Sequence, residues 1–291
     1  MTVVFLFIGA LLCSQFAGIG YKTFSNVSKG YKRITPVFLA CWSGFLGVMM
    51  AVAATIANRG FHPSKVTVIF ALFGGLLFAV ASILYVHMMA TGPFIWSVMV
   101  LNLSNFIPVL YSLAFLGETI NPPQIVGIAL ILSILLVMSI GMRGEGNPIT
   151  SRWMALATVT MIANGSIVCA QKTQIKLLGG TEALPYITLM FLFASAFAMV
   201  YHLLTRDRSE RPPYRAFLAP GFCLAGSIGL TNVFFMALMR RVPASIQFPI
   251  FTGCGIVLSA IISFALYKER PGWRLYISTA LLLAGAILLG M

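Results

Sequence analysis

Seven uncharged polar side chains interrupt long apolar segments of the sequence, and their amide and hydroxyl groups could bind a small polar molecule. They are Gln15, Ser82, Asn102, Asn105, Asn164, Asn232 and Gln247. Burying a polar group is costly unless it is hydrogen-bonded, so each needs a structural partner or a ligand. Amides and hydroxyls donate and accept hydrogen bonds without carrying charge. The set therefore suits a neutral or zwitterionic ligand, and hydrogen bonding between neighbouring elements is the alternative role.

Two lysines and two aromatic residues complete the candidate binding residues. Lys22 and Lys172 could attract a carboxylate or phosphate, or they could extend along an apolar surface until their ammonium groups reach water. Tyr85 and Trp96 could pack against an aromatic or aliphatic part of a ligand. Trp96 lies near the start of an apolar segment, where anchoring at a membrane surface is the alternative role.

Other kinds of chemistry have little support in the sequence. All six acidic residues lie at the ends of apolar segments or between them, so proton or sodium coupling through a buried carboxylate is not expected. One Asp and three His provide no catalytic constellation, and no phosphate-binding or dinucleotide motif is present. The five cysteines are scattered without metal-ligand spacing. We therefore expect neither an enzyme nor a bound metal or cofactor.

The composition indicates that membrane-spanning elements hold these residues. The chain has 291 residues, of which 59% are hydrophobic and 9% are charged, whereas about 25% are charged in a soluble domain. The formal net charge is +13, but the basic residues lie mostly in short breaks between apolar segments, where lipid headgroups would bind them. We expect the lipid bilayer and a small-molecule substrate as partners, no nucleic acid, and a monomer or homodimer.

The apolar segments predict ten transmembrane helices, because a bilayer core about 30 Å thick needs roughly 20 apolar residues of helix. Their lengths favour helices over barrel strands, which would be about ten residues long. The predicted spans are 2–21, 36–57, 66–90, 93–117, 122–141, 153–171, 183–204, 216–239, 243–267 and 273–291.

An internal repeat relates the two halves of the chain. An offset of 150 to 151 residues superimposes spans 1, 3, 4 and 5 on spans 6, 8, 9 and 10. The matched residues are Lys22-Thr23 with Lys172-Thr173, Ser82 with Asn232, Pro93 with Pro243, and Glu118 with Glu269. Five spans in each copy give the copies opposite orientations in the membrane. We therefore predict an all-α membrane protein whose ten helices form two inverted five-helix repeats, 1–145 and 146–291, with a site between them near the midplane.

The segment "TNVFFMALMRRVPASIQFPIFTGCGIVLSAIISFALYKERPGWRLYISTALLLAGAILLGM" resembles the ten-span EamA-type members of the drug/metabolite transporter superfamily. It has an aromatic-rich span, a short turn, a small-residue span ending at Glu269, and a proline-containing turn into a last apolar span. The same order recurs more loosely around "FLGET", where Trp96, Asn102 and Asn105 replace the usual small residues.

The resemblance implies a secondary transporter in the bacterial inner membrane that works by alternating access, with spans 1, 3, 4, 6, 8 and 9 lining a central cavity. Members of the superfamily carry amino acids, amines, sugar phosphates, nucleotide sugars and lipid precursors. The neutral polar residues favour an amino acid or amine. The alternatives are a carrier of anionic metabolites, a lipid-precursor flippase and a non-transporting assembly protein.

Two arguments give opposite orientations for the termini. Basic residues in short loops favour the cytoplasmic side, and the breaks after odd-numbered spans contain more of them than the breaks after even-numbered spans. This places both termini outside the cytoplasm, whereas the resemblance implies that both lie inside.

Overall fold

The computed structural model describes residues 2–28, 34–58, 61–92, 94–118, 120–141, 150–205, 214–268 and 273–289. Two of the predicted repeat partners, Pro93 and Glu269, lie outside this part of the chain. The helices are α1 (Thr2–Val27), α2 (Ile34–Asn58), α3 (Lys65–Thr91), α4 (Phe94–Leu103), α5 (Phe106–Phe115), α6 (Pro122–Gly141), α7 (Ser151–Leu178), α8 (Ala183–Thr205), α9 (Leu218–Met239), α10 (Ala244–Tyr267) and α11 (Trp273–Leu289). A short 3-10 helix, Tyr214–Phe217, precedes α9.

The described residues form an all-α membrane protein, as predicted. Eight segments among them are long and apolar enough to cross a bilayer: α1, α2, α3, the α4–α5 pair, and α7 to α10. Large apolar side chains cover their outer faces; Phe5, Ile56 and Leu204 are 70%, 76% and 80% exposed. Lipid would cover such a surface, because a soluble protein rarely exposes extended apolar patches. The full count of ten spans stays a prediction.

The fourth predicted span is broken into two helices, which corrects the prediction of a continuous span over 93–117. Pro108 has no N–H group for the Ser104 carbonyl four residues earlier, and its ring crowds that carbonyl. The chain tightens there: the N–H of Ile107 donates to the Ser104 oxygen at 3.1 Å, and the N–H of Asn105 donates to the Asn102 oxygen at 3.2 Å. The resulting turn at Ser104 and Asn105 separates α4 from α5.

Helices α1 and α7 are longer than predicted, so Lys22 and Lys172 lie within helices rather than in the breaks after spans 1 and 6. Polar residues near position 171 suggested the end of a span. In the structure, however, Gln171, Lys172 and Gln174 are buried. Gln174 can be buried because its Nε2 atom donates a hydrogen bond to Thr67 Oγ1 at 3.1 Å, which joins α7 to α3. Paired polar residues can therefore continue a helix inside the protein.

The helices that surround the interior come from both halves of the sequence. The closest packing joins α1 with α9, α3 with α7 and α8, α2 with α8, and α6 with α11. Small residues permit some of these approaches. At Gly75, a Cβ atom would lie 2.7 Å from the backbone oxygen of Met190 in α8. The fold therefore interleaves the halves, and a central cavity lies between them.

A polar cluster fixes the start of α3 against the turn between α7 and α8. The Glu182 carboxylate accepts hydrogen bonds from the N–H and hydroxyl groups of Ser64, both at 2.9 Å. Ser64 also caps α3, because its side chain accepts from the N–H of Thr67 at 3.3 Å. A carboxylate at this position is stabilised further by the positive end of the helix dipole.

This cluster gives a pH-dependent contribution to stability. Burial acts to raise the pKa of Glu182, but hydrogen bonds from Thr67 and Ser64 outweigh it, so the pKa lies below its ordinary value. A lowered pKa stabilises the folded state above the unfolded-state pKa of about 4.3, and this contribution is lost as the pH falls through the folded-state pKa. We expect Glu182→Gln to lower the melting temperature at pH 7, and we expect its difference from wild type to shrink as the pH falls from 7 to 3.5. Thermal unfolding of both proteins in detergent across this range is the measurement, and an equal difference at both pH values would contradict the assignment.

Candidate substrate cavity

A cavity of about 180 Å³ lies between α1, α3, α4, α7, α9 and α10. It has ample room for a small solute, since one water needs only roughly 10–15 Å³ by the same measure. The residues that line it lie near the middle of these helices, and the turn between α4 and α5 contributes Asn105 to its wall. A broken helix at the centre of a bundle is a common way for transporters to expose backbone groups to a ligand.

Seven of the eleven predicted binding residues line this cavity: Gln15, Ser82, Tyr85, Asn102, Asn105, Asn164 and Asn232. The other four do not line it. They are Lys22, Trp96, Lys172 and Gln247. The structure therefore brings six of the seven predicted amide and hydroxyl residues together and leaves both lysines outside the group. The described lining residues include no charged side chain.

Eighteen of the 22 described lining residues form pairs separated by 150 positions. The nine pairs are Ser14 with Asn164, Ala17 with Ile167, Gly18 with Val168, Tyr21 with Gln171, Phe78 with Ile228, Ala81 with Thr231, Ser82 with Asn232, Tyr85 with Phe235, and Leu101 with Phe251. This separation is the offset that relates the two halves of the sequence. The two halves thus contribute equivalent positions to one cavity, although the side chains differ in every pair.

Two hydrogen bonds in the wall occupy equivalent positions in the two halves. Tyr21 Oη donates to Ser82 Oγ at 3.1 Å, between α1 and α3. Gln171 Nε2 donates to Asn232 Oδ1 at 3.0 Å, between α7 and α9. The first half therefore presents a phenol–hydroxyl pair, and the second half presents an amide–amide pair. The cavity has two chemically different walls built on one geometry.

Helix α10 supports the broken segment between α4 and α5. Asn105 Nδ2 donates to Thr252 Oγ1 at 3.2 Å. Thr252 Oγ1 in turn donates to the Asn102 backbone oxygen at 2.9 Å. From α7, Asn164 Nδ2 donates to Ser104 Oγ at 2.6 Å. These bonds join the break to α7 and α10, so Asn105 and Asn164 have structural partners as well as a place on the cavity wall.

Gln15 links α1 to α10 at another point on the wall. Its Oε1 atom accepts a hydrogen bond from Ser259 Oγ at 2.8 Å. By contrast, Asn102 Nδ2 and Asn232 Nδ2 donate to carbonyls of their own helices, those of Val98 and Ile228, at 3.0 and 2.9 Å. The bond of Asn102 thus stays within its own helix, whereas Asn232 also accepts a hydrogen bond from Gln171 of α7.

Aromatic side chains contribute to the apolar part of the cavity wall. Tyr21 and Tyr85 pack edge to face, with ring centroids 5.0 Å apart and an interplanar angle of 86°. Phe235 and Phe251 pack in a similar way, with centroids 4.4 Å apart and an angle of 65°. The quadrupoles of aromatic rings favour such edge-to-face arrangements. A solute with one polar and one apolar part would find complementary surfaces in the same cavity.

Comparisons with known proteins agree with this architecture. Residues 147–291, about half of the chain, match the EamA-like transporter family. The chain belongs to this family. A solved structure described as the crystal structure of a protein is similar over 96% of this chain and 95% of that chain, with a TM-score of 0.69 and 20% sequence identity. That likeness shows the fold alone. No curated protein matches.

The EamA family consists of membrane transporters of the drug/metabolite transporter type. The family match of this chain therefore confirms the predicted resemblance. The two predicted lysines of this EamA chain lie near helix ends. Lys172 Nζ lies 3.0 Å from Glu118 Oε1, and the two side chains are only 10% and 17% exposed. Lys22 Nζ donates to the backbone oxygen of Met89 at 3.2 Å and approaches that of Gly92 at 3.5 Å.

The two other predicted residues outside the cavity have different surroundings. Trp96 is partly buried and packs against the hydrophobic core. Gln247 is 2% exposed, and neither polar atom of its side-chain amide has a hydrogen-bond partner in the described part of the chain. Its role as a binding residue stays a prediction.

The sequence argument missed several residues that line the cavity of this EamA chain, chief among them Tyr21, Gln171 and Thr231. The sequence placed Gln171 at the last position of predicted span 6, 153–171. It lies 150 positions after Tyr21 and directly before Lys172. The match of Lys22 with Lys172 singled out the lysines and not the residues before them. Tyr21 gave no polar signal, because a tyrosine near the end of an apolar segment is also typical of a membrane anchor.

Proposed function

We propose that the chain is a secondary transporter that carries a small polar or amphipathic metabolite across a bacterial inner membrane by alternating access. Amino acids and amines are the first candidates. The observation that carries the proposal is the cavity whose lining residues pair at a separation of 150 positions. A site shared by two equivalent halves suits alternating access, because exchanging the conformations of the halves would move its opening from one side of the membrane to the other.

The helix packing supports the inverted repeat on which this mechanism depends. The offset makes α1, α2, α3 and α6 equivalent to α7, α8, α9 and α11. The packing of α1 with α9 then has its counterpart in that of α7 with α3. The pairs α2 with α8 and α6 with α11 each join two equivalent helices. The family match begins at residue 147, close to the proposed boundary between the repeats 1–145 and 146–291.

The lining chemistry disfavours the anionic alternative. An anion would lose its hydration in the cavity, and the described lining offers no cation to compensate it. Lys172 already lies against Glu118, and Lys22 binds backbone oxygens at the end of α3. A zwitterion could instead use several of the neutral amides and hydroxyls, which donate and accept hydrogen bonds.

Ligand binding by the purified full-length protein tests the proposal. The panel contains neutral amino acids, amines, sugar phosphates and nucleotide sugars, and each is measured by thermal stabilisation and by uptake into proteoliposomes. A ligand that binds the folded state raises the free energy of unfolding by mass action, and the melting temperature rises with it. The gain is about 2.7 kcal/mol when the ligand concentration is 100 times its dissociation constant. We expect stabilisation and uptake with an amino acid or amine. Stabilisation by sugar phosphates or nucleotide sugars alone would contradict the proposed substrate class.

Replacing Asn232 with Leu should separate a carrier from a non-transporting assembly protein. Asn232 accepts the hydrogen bond of Gln171 in the cavity wall, so Leu removes a polar partner and narrows the polar surface. We expect uptake to fall by about tenfold or more, since one lost hydrogen bond costs about 1 kcal/mol and an unpaired partner costs further. Gly226→Leu is the matched control in the same helix, because a Cβ at Gly226 meets nothing within 4 Å. Normal uptake by folded Asn232→Leu protein would argue against a transport role for the cavity.

A further inference from the structure

The hydroxyl group of Tyr85 differs from the other polar groups of the cavity wall. Tyr85 lines the cavity from α3, is 2% exposed, and its hydroxyl has no hydrogen-bond partner in the described part of the chain. Buried hydroxyls are nearly always hydrogen-bonded, so an exception calls for an explanation. In a cavity that takes a solute, the missing partner can be the solute itself.

Neighbouring groups in the wall already have partners and also hold Tyr85 in place. The hydroxyl of Tyr21 donates to Ser82, and the amide of Gln171 donates to Asn232. The Tyr21 ring packs edge to face on the Tyr85 ring, which restricts its orientation. Tyr85 thus contributes a positioned donor that no described side chain or backbone group uses.

The repeat makes this donor one-sided. The position equivalent to Tyr85 is Phe235, which also lines the cavity but lacks a hydroxyl. A solute bound between these two aromatic rings would therefore find a hydroxyl at this position on the α3 side and none at the equivalent position on the α9 side. The cavity can orient its solute in this way even though the two halves share one geometry.

We propose that the Tyr85 hydroxyl recognises a hydrogen-bond acceptor of the substrate and thereby selects solutes that carry one, such as the carboxylate of a zwitterionic amino acid. The inference rests on the proposed function, because it requires that the cavity bind a solute. It goes beyond packing of the Tyr85 ring against an apolar moiety. It assigns the recognition to one atom and predicts which solutes depend on it.

The test compares Tyr85→Phe with Tyr186→Phe in purified full-length protein. Tyr186 is the matched control, because it is also fully buried with an unpartnered hydroxyl among the described residues but does not line the cavity. The probes are L-phenylalanine with phenethylamine and L-leucine with isopentylamine, pairs that differ by the carboxylate. Dissociation constants are measured by calorimetry, and melting temperatures are measured without ligand.

We expect Tyr85→Phe to raise the dissociation constant of the amino acids by about tenfold, the loss of one hydrogen bond to a charged group. The amines should bind Tyr85→Phe and wild type equally, because an ammonium group offers no acceptor. Tyr186→Phe should change neither constant. The ligand-free melting temperature of Tyr85→Phe should equal or exceed that of wild type, since removing an unpaired buried hydroxyl costs no hydrogen bond.

Three results would overturn the inference. A lower ligand-free melting temperature for Tyr85→Phe would show that its hydroxyl has a structural partner. Unchanged amino acid binding by Tyr85→Phe would remove the recognition role but leave the carrier intact. If wild type binds none of the four probes, the inference fails together with the proposed substrate class. This outcome is seen with wild type alone, so it can be told apart from a failure of the Tyr85 role, which is seen only by comparing Tyr85→Phe with wild type.

Discussion

Replacing Lys172 with Met should strongly destabilise the protein. Lys172 Nζ lies 3.0 Å from Glu118 Oε1, and both side chains are largely buried. Removing one partner of a buried ion pair leaves a charge without its compensation, which typically costs about 3–5 kcal/mol. We expect a correspondingly large fall in the melting temperature of Lys172→Met in detergent.

The double variant Lys172→Met, Glu118→Leu tests the physical reason. Replacing a buried ion pair by apolar residues of similar volume is often neutral, because the desolvation cost of both charges disappears. We therefore expect the double variant to be nearly as stable as wild type. Lys176→Met is the control on the same helix: Lys176 is exposed and donates to the Leu116 oxygen at 2.7 Å, so its loss should cost less than about 1 kcal/mol. Equal destabilisation by both lysine variants would exclude a special role for the pair.

The ion pair also connects the two halves next to the cavity. Lys172 follows Gln171, which lines the cavity, and precedes Thr173, whose hydroxyl lies 2.8 Å from that of Tyr111 in α5. One turn of α7 therefore contacts both the cavity and α5, the second part of the broken helix. The ion pair is a geometric link between the halves, and its replacement by an apolar pair should be examined for uptake as well as stability.

The fold class was predictable because it follows from composition and length. A chain that is 59% hydrophobic, with apolar segments of about 20 residues, has few alternatives to a helical bundle in a bilayer. The break at Pro108 was also within reach of the sequence, since proline inside a helix removes a backbone hydrogen bond. It was not predicted because transmembrane helices often tolerate proline, and only the neighbouring helices decide whether the chain bends or breaks.

The candidate site was predictable in part, through polarity but not through geometry. Asn102 and Asn232 stood out because amides are rare in apolar segments. Tyr21 and Gln171 became visible only when their helices were placed around one cavity. The lysines show the opposite case. Lys22 and Lys172 share the repeat offset, yet Lys172 is neutralised by Glu118 from the other half of the chain, and a contact over that sequence distance left no local signal.

Replacing Gly75 with Leu should have an effect comparable to the loss of Lys172, by a different mechanism. A Cβ at Gly75 would lie 2.7 Å from the Met190 backbone oxygen and 2.7 Å from the Phe193 Cβ, with the Ala194 nitrogen at 3.0 Å. Backbone atoms cannot rotate away as a flexible side chain can, so α3 and α8 must separate. Small residues allow such close approach in membrane proteins, where packing drives helix association.

We expect Gly75→Leu to cost about 3 kcal/mol or more, at the upper end of overpacking effects. Gly226→Leu is the matched control, since Gly226 is also inside a helix but meets nothing within 4 Å. The two variants should be compared by thermal unfolding and by ligand binding. Because α3 also carries Phe78, Ser82 and Tyr85 into the cavity, any Gly75→Leu protein that still folds should bind its solute more weakly. Full affinity at reduced stability would show that α3 adjusts near Gly75 without moving the cavity wall.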